Sequence, residues 1–106
     1  MSHMKLSSKH TLGPWEVLPE ECDKSYIRIR GARLGGRYKI ANVITPTYPG
    51  VPPEEAMETR ANARLIRASP ELLSALEDLL DDVGRDSSLP GAVKARKIIR
   101  EATKDD

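Results

Sequence analysis

The chain has 106 residues, 31% charged and 39% hydrophobic, with a formal net charge of +1. It contains no phenylalanine, one tryptophan and three tyrosines, so its core must be mainly aliphatic. These numbers exclude long disorder away from the ends, a membrane-spanning run of roughly 20 apolar residues, and strong attraction of the whole chain to nucleic acid.

Met1-Ser2-His3-Met4 reads as a leader left by cloning, and residues 1–12 as that leader plus a flexible start. No basic stretch followed by an apolar run opens the chain, so no secretory signal is expected and the cytoplasm is the expected compartment. Gly13-Pro14 signals a turn. Trp15 to Leu18 reads as a short strand closed by Pro19, with a polar loop from Glu20 to Ser25. Tyr26-Ile27-Arg28-Ile29-Arg30 alternates with period two. Ile27 and Ile29 fall on one face, and Tyr26, Arg28 and Arg30 on the other. Gly31 to Gly36 holds three glycines, enough for a hairpin connection. Tyr38 to Ile44 is a third strand whose buried face the pattern leaves open. Tyr38, Ile40, Asn42 and Ile44 share one side, Ala41 and Val43 the other.

Pro46, Pro49, Pro52 and Pro53 make residues 46–53 an extended connector. A helix is predicted over 54–68, with Glu54, Glu55 and Glu58 early, Arg60, Arg64 and Arg67 later, and an apolar face of Met57, Ala61, Leu65 and Ala68. Ser69-Pro70 predicts a restart, Ser69 capping and Pro70 as the first helical residue. Leu72, Leu73, Leu76, Leu79, Leu80 and Val83 then form an amphipathic stripe. Glu77, Asp78, Asp81 and Asp82 are assigned to the opposite, solvated face, and Gly84 closes the helix. The third helix is predicted from about Pro90 to Thr103, with Ala92, Ala95, Ile99 and Ala102 apolar and Lys94, Arg96, Lys97 and Arg100 basic.

Three strands followed by three helices predict an α+β fold, an antiparallel three-stranded meander with helices packed on one face. One domain is expected over 13–103, divided into strands (13–45), connector (46–53) and helices (54–103), with a frayed tail at 104–106. Six large apolar side chains on the second helix need more cover than a small sheet offers, which predicts a homodimer.

Charge is distributed unevenly. Residues 1–53 carry eight Lys/Arg against four Asp/Glu, whereas residues 70–83 carry five acids and no base. Catalytic chemistry finds little support. His10 lies in the flexible start, and Cys22, the single cysteine, sits among Glu20, Glu21 and Asp23, which disfavour a thiolate. One cysteine also excludes a disulfide or a thiolate zinc cluster within the chain. Asp81 and Asp82 diverge by about 100° on a helix and cannot chelate together. The glycine-rich segment leads into a strand and lacks a Walker Lys-Ser/Thr ending. No enzyme activity, metal or cofactor is therefore expected. The strongest binding feature is the basic sheet face, where Tyr26, Arg28 and Arg30 project together with Arg33, Arg37 and Lys39 close by. Tyrosine beside guanidinium groups suits nucleotides or single-stranded nucleic acid, although a polar outer sheet face has the same composition.

Two segments carry a resemblance. Thr11-Leu12-Gly13-Pro14-Trp15-Glu16-Val17, and Ala61-Asn62-Ala63-Arg64-Leu65-Ile66-Arg67-Ala68-Ser69-Pro70-Glu71-Leu72-Leu73-Ser74-Ala75-Leu76, resemble a widespread group of short phage and prophage proteins. Those proteins have a Gly-Pro-Trp start and an Asn-Ala-Arg-Leu-Ile-Ala-Ala-Ala-Pro-Glu-Leu-Leu run, from which Arg67 and Ser69 depart. The resemblance spans roughly residues 11–80 and implies a prophage-encoded accessory protein of unknown function, with no catalytic residues to carry over. Within the motif, Ala61, Leu65 and Ala68 are expected to pack the first helix. Asn62 either hydrogen-bonds a strand end or points into a ligand site. The leading expectation is non-catalytic binding to a host protein, through the basic sheet face or the acidic helix. The alternatives are a sequestrant of a small nucleotide-like ligand and a binder of single-stranded nucleic acid.

Overall fold

In the computed structural model the described residues are 9–32, 38–44, 50 and 52–104. The elements are β1 (Trp15–Val17), β2 (Tyr26–Gly31), β3 (Tyr38–Ile44), α1 (Pro53–Arg67), α2 (Ser69–Val83) and α3 (Pro90–Thr103). The strands form one antiparallel sheet in the order β1-β2-β3, so the fold is α+β, as the segregation of strands and helices predicts. Residues 11–71 form one compact unit, and residues 72–104 belong to a second.

In the first unit, period-two alternation sets the layers. Ile27 and Ile29 are buried against Ala63 of α1, with Trp15, Val17, Ile40, Ala41, Val43 and Ile66 packed around them. Burying an isoleucine contributes roughly 1.5–3 kcal/mol, so these two side chains anchor the sheet to the helix. The ambiguity of β3 resolves through a β-bulge. Ile29 pairs with Ala41 but Arg30 pairs with Lys39, leaving Ile40 as the extra residue. The bulge lets Ile40 join Ala41 and Val43 against the core, which strict alternation forbids.

The packing face of α1 differs from the expectation. Thr59 and Ala63 are the buried residues, and Ile66 packs beside them. Met57 and Leu65 are instead 65% and 61% exposed, and Ala61 is also exposed. Short side chains let the helix backbone approach Ile27 and Ile29 closely. The Thr59 hydroxyl is satisfied by donating to the Glu55 carbonyl at 2.9 Å. Glu54 and Glu55 in the first turn and Arg64 and Arg67 in the last follow the helix dipole.

Ser69 is helical and does not act as predicted. Its hydroxyl donates to the Leu65 carbonyl at 3.2 Å, so it ties onto the end of α1. In the second unit Leu80, Ala92 and Ile99 are buried together, with Leu73 and Leu76 packed against them. Leu72, Leu79 and Val83 remain exposed, so α3 covers only part of the leucine stripe. Gly84 has φ +101, the left-handed conformation expected of a residue that closes a helix. The α3 helix begins at Pro90, and the Leu89 N–H donates to the Ser87 hydroxyl at 3.2 Å.

Candidate functional site

The outer face of the sheet is built by the residues that alternate with the core. Tyr26, Arg28 and Arg30 of β2 are half-buried and stand opposite Ile44, Asn42 and Lys39 of β3. Glu16 of β1 stands opposite Arg30. The face therefore has an apolar end, Tyr26 beside an 80% exposed Ile44, and a basic end, Arg30 beside Lys39. Its arginines are partly committed. Arg28 makes an ion pair with Glu21, from the loop after β1, and Arg30 donates from Nη1 to the Ile29 carbonyl at 3.2 Å.

The structure thus brings Tyr26, Arg28, Arg30 and Lys39 together. Arg33 and Arg37 lie outside the described residues. Asn62 does not join the group. It is exposed on α1, which packs against the opposite face of the sheet through Ile27 and Ile29. Sequence reasoning missed Glu21 as the partner of Arg28, because no local pattern links a loop acid to a strand seven positions later. It also left open which way Ile44 points, because only the bulge settles the parity of β3.

A second ion pair lies at the rim of the same unit. Arg60 of α1 donates from Nε to Glu20 at 2.8 Å and from Nη2 at 3.3 Å. This donation holds the Glu20 carboxyl below its ordinary value and raises the Arg60 guanidinium. Cys22, in the same loop, is exposed.

The two motif segments meet in space. A Cβ at Gly13 would stand 3.1 Å from Cβ of Pro70 and 2.6 Å from Oε2 of Glu71. The turn before β1 and the corner between α1 and α2 therefore touch where a side chain at position 13 would intrude. The two segments share a packing contact.

In the helical unit, Glu77 is only 5% exposed, and among the described residues its Oε1 has no hydrogen-bond partner. The solvated position expected for it is therefore corrected. At i+4 and i+8, Asp81 and Arg85 form an ion pair at 2.5 Å, which raises the Arg85 guanidinium further above its ordinary value, with Glu77 adding a smaller part. A groove of about 300 Å³ runs between α2 and α3, lined by Leu76, Leu79, Leu80 and Val83 on one side and Leu89, Gly91, Ala92 and Ala95 on the other. No helix among the described residues is long and apolar enough to cross a membrane.

A small antiparallel sheet backed by a helix, with a mixed apolar and basic outer face, defines a small α+β protein. The chain matches the family of Salmonella phage P22 protein Y8K6 over residues 1–105, and it belongs to that family. No curated protein matches the chain. No solved structure matches it either.

Proposed function

We propose that this protein is a phage-encoded accessory protein acting by non-catalytic binding to a host protein in the bacterial cytoplasm, and that it works as a homodimer. The observation that carries the binding reading is the composition of the outer sheet face. Exposed Ile44 beside Tyr26 supplies apolar area, and Arg30 and Lys39 supply charge at the other end. Protein interfaces combine an apolar centre rich in tyrosine and arginine with a polar rim, and a large exposed aliphatic side chain at a strand end needs cover. Phosphate recognition is supported less well, because Arg28 is engaged by Glu21 and Arg30 faces Glu16. A nucleotide or single-stranded nucleic acid would have to displace or outweigh those acids.

The test is affinity capture from host lysate with the wild-type chain and with Ile44→Glu and Lys39→Glu, both exposed positions whose replacement leaves the core intact. A host protein retained in stoichiometric amount by wild type and lost from either variant is the expected result. Equal retention by all three chains, or none by wild type, overturns the assignment of this face. Native mass spectrometry of the same preparation separates the alternative: added mass of nucleotide size, lost in Arg28→Ala, would replace a protein partner with a small ligand.

A further inference from the structure

The groove between α2 and α3 is only partly filled by its own unit. Leu80, Ala92 and Ile99 are buried there, while Leu72, Leu79, Val83, Leu89 and Ile98 stay exposed. A helix pair spanning residues 72–104 has a small core, and units of that size usually rely on association for stability. Two properties of the groove say what covers it. The first is relief. The α2 side presents the large side chains Leu79 and Val83, whereas the α3 side presents Gly91, Ala92 and Ala95, with Leu89 bounding the groove just before α3. The second is charge. The exposed leucine ridge of α2 is flanked by Asp78 and Asp82, on a helix with five acids and no base. The α3 helix carries Lys94, Arg96, Lys97 and Arg100 against Glu101 alone. One helix therefore offers ridges and acids, and the other offers hollows and bases. A two-fold axis brings each to its complement, because a surface pairs with itself only when it carries both halves.

We propose that a second copy of this chain occupies the groove, with α2 of each copy seated on α3 of the other in a four-helix arrangement. Leu79 and Val83 fill the hollow at Gly91 and Ala95, and the acids of α2 face the bases of α3 across the seam. This locates the interface of the homodimer proposed above and rests on that reading.

The experiment measures mass in solution at micromolar concentration, with reductant present because Cys22 is exposed. It compares wild type, Leu79→Arg, the doubly basic chain Asp78→Lys/Asp82→Lys and the doubly acidic chain Lys94→Glu/Lys97→Glu. Wild type is expected to be a dimer, and Leu79→Arg a monomer with unchanged helical circular dichroism. Each charge-reversed chain alone is expected to dimerise at least about tenfold more weakly, because like charges then meet across the seam. Mixed one to one, the two are expected to recover a heterodimer, since basic α2 meets acidic α3 and the reverse. A monomeric wild type overturns both the homodimer and this interface. A dimeric wild type with Leu79→Arg still dimeric, or with reversed chains that do not pair, keeps the homodimer and overturns the interface.

Discussion

Glu20 and Arg60 are 40 positions apart and meet only because α1 packs on the sheet. The guanidinium stabilises the Glu20 carboxylate, so its pKa in the folded chain lies below the ordinary 4.5. The unfolded chain then binds more protons as acid is added. The stabilisation is complete above about pH 4.5 and is lost as pH falls through the lower folded value. Both side chains are about half exposed, so the contribution is small. Glu20→Gln is expected to flatten the loss of stability on the acid side, measured as urea midpoints across that range. An acid limb unchanged from wild type would show that the pair does not persist in solution. Glu77 makes the opposite case. Its Oε1 is buried without a hydrogen-bond partner among the described residues, and such a group costs about 1–3 kcal/mol. Glu77→Leu is therefore expected to raise the melting temperature, and a lowered one would mean that the carboxylate has a role in holding the fold.

The α1 helix shows how a correct element can be given the wrong face. Its bounds fall within one residue of the predicted 54–68, since the helix takes in Pro53 at its start and ends at Arg67. The face does not follow from hydrophobicity. Met57 and Leu65 outrank Thr59 and Ala63 on any apolar scale, yet the shorter residues are the buried ones. Close approach to Ile27 and Ile29 rewards small size, and burial of a hydroxyl costs little once it bonds to the preceding turn. Two substitutions test the assignment by urea unfolding. Ile29→Ala is expected to cost about 2–5 kcal/mol, as for a fully buried aliphatic residue. Leu65→Gln keeps helix propensity and is expected to stay within about 0.5 kcal/mol. Equal costs at the two sites would place Leu65 in the core. The β3 strand has the same character. Its existence is plain from its residues, but its parity depends on a bulge created by pairing with β2.

At the scale of the whole molecule, the two proposed surfaces are separate in sequence and in composition. The sheet face draws on residues 26–44, and the groove on residues 76–95. Ile44→Glu and Lys39→Glu are accordingly expected to leave the mass in solution unchanged while host-protein capture is lost. A change of mass in either would merge the two surfaces into one. By itself, the sequence determined the order of elements and the α+β class, because period-two alternation and proline placement are local signals. Only the tertiary structure decided which side of α1 is buried, that Arg28 answers to Glu21, that Glu77 is enclosed, and that Gly13 touches Pro70 and Glu71. Each of these depends on a partner distant in the chain or on close packing, and periodicity records neither.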